Sequence, residues 1–383
     1  MKWNWQQTDW PEFSWNQAHL QKAEAQFLVE AGEFAGIAKH LEEEERVQLT
    51  VEAMSTEALT TSEIEGEILD RASVQSSIRK QLGLASVQRK VGAAEQGVSG
   101  MMVDLYRSFA EPLSRDMLFR WHRMLTTGRR DIKDAGRYRT HIEPMQVVSG
   151  AIYDPKVHFE APPSSVVPAE MSRFIDWFNR FAPANSEPLP ALTRAGIAHQ
   201  YFICIHPFED GNGRIGRAIA EKVLAQSLGR PTLTALAGTI LAKRKAYYGA
   251  LEANNKRQEI TSWLTFFAAT VIEAQRRSIA WVDFLIDKTR LLDRLRDRLN
   301  ARQNKALLRM LREGPEGFEG GLSAGKYASI TGASSATATR DLADLVAKQA
   351  LLRVGERRHA RYEIAIPLRP VKPVAIDAHG KLK

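Results

Sequence analysis

The twelve residues HPFEDGNGRIGR, His206 to Arg217, constrain this chain more than any other stretch. They follow a helical pattern over Pro190–Ile205 and run into another from about Gly213 to Gln226, so they form a tight connection between two helices. Gly211, Asn212 and Gly213 permit positive φ, which lets backbone N–H groups converge on an anion. The helix opening there adds its N-terminal dipole. Arg214 and Arg217 lie three apart on that helix, and their guanidinium forks suit phosphate oxygens. So far this is a polyphosphate cradle. Asp210 fits one only if a divalent cation such as Mg2+ sits between the carboxylate and the phosphates. His206 ends the preceding helix and can take a proton from an incoming hydroxyl near neutral pH. Pro207 and Phe208 read as a rigid turn and an apolar anchor. The whole string predicts nucleotide transfer by in-line attack at phosphorus, through positioning and charge neutralisation. Its fragments are weaker than the whole: DGNG occurs in calcium loops and turns, and a lone histidine is usually structural.

The rest of the 383 residues reads mainly helical. From about Asn16 to Leu82 the pattern is helical, with Ile64, Ile68, Leu69 and Val74 on one stripe and Gly83 as a stop. A helix capped by Ser114 carries Leu118, Trp121 and Leu125 on one face. The texture changes over residues 136–163. Val147, Val148, Ile152, Val157 and Phe159 are β-formers, and Gly150 and Asp154-Pro155 are turn signals, so a β-hairpin is expected there. From about residue 302 the pattern becomes helix, helix, helix and an alternating pair of strands, the winged-helix plan. Ser334 or Ser335 caps its third helix. The tail after Pro367 is rich in proline and lysine and reads as loosely ordered.

Composition excludes some classes. No run of apolar residues is long enough for a transmembrane helix, and the N-terminus lacks the continuous apolar core of a signal peptide. One cysteine, Cys204, allows no internal disulfide and reads as a packed thiol, so the expected location is cytoplasmic, with no membrane partner. His141, His158 and His199 lack metal-ligand spacing. Trp3, Trp5, Trp10 and Trp15 suggest an aromatic cluster that docks the N-terminal arm, with a ligand-binding patch as the alternative. The net charge of +8 concentrates in residues 276–313 and 340–383. That is either a solvated helix surface or a face that meets nucleic acid, with Arg340, Arg357, Arg358 and Arg361 placed for phosphates.

HPFEDGNGRIGR resembles the signature of the Fic family, His-x-Phe-x-Asp/Glu-Gly-Asn-Gly-Arg-x-x-Arg, at every fixed position. The likeness extends over roughly residues 50–275, through AGRYR (135–139), AHQYFICIHPF (198–208), AYYGALEANN (246–255) and SWLTFF (262–267). It implies a mainly α fold: a Fic helical core with a β-hairpin flap, plus a small C-terminal winged-helix domain. The domains expected are a Trp-rich helical region over 1–90 carrying an inhibitory helix, a core over 91–300, a winged helix over 301–368 and a flexible tail over 369–383. It implies transfer of AMP from ATP to a Tyr, Thr or Ser hydroxyl of a target protein, with Mg2+. It also implies His206 as base, Asp210 as metal ligand, Gly211, Asn212 and Gly213 as the anion nest, and Arg214 and Arg217 on the phosphates. Tyr247 and Asn255 match positions around the nucleoside, although core packing explains the tyrosine nearly as well. Val147, Val148, Ser149 and Gly150 match the flap, which takes a target segment by strand addition. TSEIEG (61–66) resembles the inhibitory Ser/Thr-x-x-x-Glu-Gly/Asn pattern, which implies Glu65 competing with the γ-phosphate for Arg217. Three alternatives stay open: removal of AMP by the same residues, a DNA-binding regulator, and a homodimer that shields the inhibitory helix.

Overall fold

Apolar residues at helical spacing dominate the chain, and the backbone follows them into helices broken by two short hairpins. The structure, a computed structural model, describes residues 2–39, 41–85, 89–151, 154–232, 234–356 and 359–383. Its helices and strands, in chain order, begin with α1 (Gln21–Lys39), α2 (Glu43–Ile64), α3 (Arg71–Gln81), α4 (Ala93–Ser108) and α5 (Arg115–Leu125). An antiparallel pair follows, β1 (Gln146–Ala151) and β2 (Asp154–Glu160). Then come α6 (Val167–Arg180), α7 (Ala191–Ile205), α8 (Asn212–Leu228), α9 (Leu236–Ala242), α10 (Arg244–Ala253) and α11 (Thr261–Arg294). The chain continues with α12 (Ala301–Leu311), α13 (Ala324–Thr331) and α14 (Ser335–Ala347), then the antiparallel strands β3 (Leu351–Val354) and β4 (Arg361–Ile364). The fold is mainly helical, with small hairpins.

Two compact units result: residues 1–275 with 373–383, and residues 276–372. In the first, α7 is buried along nearly its whole length, as its run of apolar residues requires, and it pairs with α8 at the centre of the core. Gly216 lets the two approach, because a Cβ there would lie 3.0 Å from Ile203. The N-terminal arm docks by its aromatic residues. Trp3 meets Phe159 edge-on, Trp10 meets Tyr201, and the Trp5 indole N–H donates to the Glu160 carbonyl at 2.7 Å. The arm therefore supports β2 from behind. Cys204 is buried and accepts from Asn4, and burial pushes its thiol up to about 12, an inert packed group.

Two expectations need correction. The helical stripe through Ile64, Ile68, Leu69 and Val74 is not one helix. α2 stops at Ile64, Gly66 takes φ 88°, and Asp70 caps a new helix by accepting from the Ser73 N–H. Ile68 is consequently 81% exposed. The tail is not loose either: Val374 is buried, its N–H donates to Glu273, and residues 376 and 382 form a bridge.

In the second unit, Leu307, Met310, Leu322, Tyr327, Leu342, Leu345, Leu351 and Ile364 form a core. The Tyr327 hydroxyl donates to Asp341, which also pairs with Arg302. Arg340 is exposed on α14, whereas Arg357 and Arg358, like Ile152 of the first hairpin, lie outside the described residues. Among the described residues no helix is long and apolar enough to cross a membrane.

Candidate active site

The loop between α7 and α8 is built by local rules. His206 closes α7 in the left-handed region at φ 51° and ψ 58°, and Pro207 cannot extend the helix. Phe208 is fully buried and stacks on His122 with centroids 4.2 Å apart. The Asn212 side chain spans the turn in both directions, donating to the Phe208 carbonyl at 2.8 Å and accepting from its N–H at 3.0 Å. Gly211 then takes φ 83° and opens α8 with no side-chain cap. Arg139, the last residue of AGRYR, fixes the turn from outside. Its Nε donates to the His206 carbonyl at 2.8 Å and its backbone N–H to that of Pro207. That clamp holds a non-glycine residue in a conformation costing roughly 1–3 kcal/mol.

Above this loop lies a cavity of about 830 Å³, lined by Glu65, Val147, Val148, Ser149, His206, Asp210, Gly211, Asn212, Gly213, Arg217, Tyr247 and Asn255 among others. Twelve of the fourteen site residues expected from the sequence therefore face one space. Gly150 is at the hairpin end beyond it. Arg214 is buried beneath it and pairs with Glu67 at 2.6 Å and Asp210 at 3.4 Å.

Charge in the site is already balanced. Arg217 is buried; its Nε donates to Thr61 Oγ1 at 2.7 Å, and its Nη2 donates to the Thr61 carbonyl and, at 2.7 Å, to Glu65 Oε1. Burial alone would lower its pKa, but the Glu65 carboxylate, together with Tyr247 and Tyr248, outweighs that and raises it. The same carboxylate lies against the first turn of α8: a Cβ added to Gly213 would overlap it. Among the described residues Arg217 Nη1 is buried without a hydrogen-bond partner, and it is 3.2 Å from that same Cβ position. Asp210 would be pushed up by burial, but Arg214, the Gly211 N–H and Arg129 hold it below the usual carboxylate range. Desolvation in the pocket pulls His206 down to about 4, so its imidazole is neutral at pH 7 and free to accept a proton.

Other expected residues have specific surroundings. The buried Tyr247 hydroxyl lies 2.7 Å from His199 Nε2, so the ring is part of the core as well as of the cavity wall. Asn255 donates to the His158 carbonyl, and its own Oδ1 is buried without a partner among the described residues. β1 and β2 form a two-stranded sheet with a register shift between Val147 and Val148. Val147 and Val148 are 37% and 50% exposed on a strand that, among the described residues, pairs with β2 alone.

Sequence reasoning missed two charged groups. Glu67, two residues after Glu65, takes Arg214. Arg129 reaches Asp210 at 2.9 Å and Glu67 at 3.7 Å. Neither has a local signal beyond its charge, because each meets its partner only through the fold.

Two family models match the chain: the Fic/DOC family over residues 112–224, and a domain of unknown function, DUF4172, over residues 3–84. Protein adenylyltransferase fic-1 of Caenorhabditis elegans is 30% identical over 145 residues, 38% of this chain and 25% of the worm protein. The probable protein adenylyltransferase aq_aa38 of Aquifex aeolicus is 33% identical over 69 residues, 18% of this chain and 20% of that protein. The match thus spans a quarter or less of either relative. A crystal structure of a Fic family protein from Desulfovibrio desulfuricans G20 shares the fold, with a TM-score of 0.52 and 21% identity, over 92% of this chain and 98% of that one. The Fic/DOC-family match over residues 112–224 takes in the signature loop and its left-handed histidine, so this chain carries a Fic/DOC-family domain.

Proposed function

We propose that this chain is a protein adenylyltransferase that moves AMP from ATP to a side-chain hydroxyl of a protein, and that Glu65 holds it inactive. The relatives named as adenylyltransferases support the reaction class. The observation that carries the regulatory part is the Glu65 carboxylate, paired with Arg217 and lying against the start of α8 in the cavity that His206 lines.

The chemistry follows from the residues. Backbone N–H groups at Gly211–Gly213 and the dipole of α8 receive phosphate oxygens. Arg217 is the partner of the outermost phosphate once Glu65 leaves it. His206, neutral at pH 7, accepts the proton of the attacking hydroxyl. A target segment adds to the free edge of β1 and brings that hydroxyl in. Asp210 is ionised, lines the cavity and already draws two guanidinium groups, so a hard divalent cation fits there beside phosphate oxygens. Mg2+ bound at Asp210 would neutralise phosphate charge as pyrophosphate departs.

With Glu65 in place, Arg217 has no free charge to offer, and ATP bound beside it is held with its α-phosphorus out of line. The test is incubation of wild type and Glu65→Gly with labelled ATP and Mg2+. Transfer by the variant should exceed wild type by tenfold or more. The reading fails if neither labels any protein, itself included, while both are folded and bind nucleotide. In the opposite reading Glu65 orients a water that removes AMP. Feeding an AMP-modified acceptor to wild type without ATP separates the two.

A further inference from the structure

The Glu65–Arg217 pair is the first rung of a longer contact between two helices. Glu57, Thr61 and Glu65 recur every four residues along α2 and at its end, and Gly213, Arg217 and Glu221 recur likewise on α8, so each set shares one helix face. The two faces meet antiparallel. Glu65 meets Arg217 at 2.7 Å and lies against Gly213, and Thr61 accepts from Arg217 by its hydroxyl and its carbonyl. The last rung sets Glu57 beside Glu221, two carboxyls where the other rungs carry complementary groups. Both acids line an apolar cavity of about 40 Å³ with Met54, Met102, Leu105 and Phe109. That leaves room for about three waters. Among the described residues lining it none is Lys or Arg, and the remaining titratable group is Tyr106 on α4. From α3, Arg71 is drawn to Glu52 instead. Glu57 Oε1 accepts from the Ala237 N–H at the start of α9 at 2.6 Å, while Oε2 is buried without a partner among the described residues. Both Glu221 oxygens accept from hydroxyls, those of Thr232 and Thr234. Glu57 is thus the less supported of two like charges. Burial, then the Glu221 charge, push Glu57 well above the ordinary carboxylate range, and the Ala237 N–H and Arg217 pull it back more weakly. Burial pushes Glu221 up to about 7.

We propose that Glu57 and Glu221 form a proton-operated latch on the helix that carries Glu65: while the pair is protonated α2 stays on α8, and when it ionises the end of α2 lifts and takes Thr61 and Glu65 off Arg217. The proposal rests on the reading of Glu65 as the group that holds the protein inactive. Lifted into water, both carboxyls return to about 4.3. The closed arrangement binds protons more tightly than the lifted one. Closure is therefore favoured fully below about pH 4 and loses ground as pH rises through about 7, where Glu221 ionises inside. Between pH 6 and 8 the Glu221 contribution alone is a roughly tenfold shift toward the lifted form. The two carboxyls are positioning residues here: they act on Arg217 only through α2.

The test measures label incorporated into protein, the chain itself included, from ATP labelled at its α-phosphate, with Mg2+, at pH 6, 7 and 8. Full-length wild type is compared with full-length Glu65→Gly at each pH. Their ratio cancels the pH dependence of the transfer site and of ATP. The expected ratio of wild type to Glu65→Gly rises about tenfold from pH 6 to 8. Introducing Glu57→Gln and Glu221→Gln together should hold it at its low value throughout, and Glu57→Gln alone should lower it at pH 8. Within the Glu65→Gly background the same substitutions should leave transfer unchanged, which general damage to the fold would not. Thermal unfolding checks that each variant is folded, and Glu57→Gln alone carries the test if the double variant is not. A ratio that stays flat in wild type, or that rises as steeply in the Gln variants, overturns the latch and leaves Glu65 as the inhibitor. Transfer lost on Glu57→Gln in the Glu65→Gly background also overturns it, since Glu57 would then act on the site without Glu65. No transfer by folded, nucleotide-binding Glu65→Gly at any pH overturns the reading of Glu65 and this proposal with it.

Discussion

The N-termini of α8 and α14 are built in opposite ways. α14 closes itself: Ser334 is its N-cap, and the hydroxyl accepts from the Thr337 N–H at 3.3 Å. α8 opens on Gly211, which has no side chain to offer, and the group against its first turn is Glu65, from the end of α2. Both ends face the same electrostatic problem, a set of unpaired N–H groups at the positive end of a dipole. The local solution costs one serine. On the proposed reading, the remote solution leaves a binding site whenever Glu65 withdraws. An uncapped helix start beside a neutral histidine, a buried arginine and a cavity is thus the mark of a reactive end, and a capped one the mark of a structural end.

The largest expected effect breaks the reactive end at its base. In the Glu65→Gly background, His206→Ala should lower the rate of AMP transfer by roughly 10²–10⁴-fold, the usual contribution of a positioned general base. The pH profile sharpens the assignment. Burial holds the folded pKa at about 4, below the ordinary value for histidine, so the base is neutral from pH 7 down to about 5. Transfer measured as kcat/KM should stay flat on its acid side through pH 6 and fall only as pH drops through about 4. An acid limb near 6.5 instead would mean that the imidazole is solvated in the working enzyme.

A smaller effect separates the two acids that hold the motif arginines. Glu65 pairs with Arg217 inside the cavity, and Glu67 pairs with Arg214 beneath it. Glu67 is part-exposed, so its pair contributes about 1 kcal/mol at most, a roughly five-fold change. Glu67→Gln alone should therefore raise transfer by up to about five-fold over wild type, well below the gain from Glu65→Gly. Equal gains from the two variants in parallel label-incorporation assays would show that Arg214 and Arg217 share one lock.

How far these regions were legible in the sequence follows from the distance over which each is determined. The α8 start was readable because everything that shapes it, His206, Gly211 and Asn212, is contiguous. The place of Glu65 was readable through the TSEIEG pattern, but its setting was not. A continuous helical stripe through Ile68 would put Glu65 in mid-helix. Instead the left-handed Gly66 ends α2 there and leaves the carboxylate at the tip of the helix, free to reach α8. Glu67 and Arg129 were invisible, since their partners lie 147 and 81 residues away. The proline-rich tail misled for a related reason: composition argued for loose order, while Val374 finds a buried place that composition cannot show.

The smallest effect belongs to the self-closed end. Ser334→Ala removes the acceptor for the Thr337 N–H and should destabilise the protein by about 1 kcal/mol. Ser334→Gly should cost only a few tenths, because glycine exposes the helix end to water and adopts the cap conformation readily. Thermal or urea unfolding of the three proteins measures this, and AMP transfer in the Glu65→Gly background should not change in either variant. The comparison between the two helix starts fails if Ser334→Ala alters transfer while leaving stability untouched, since the α14 end would then also be acting on something other than its own N–H groups.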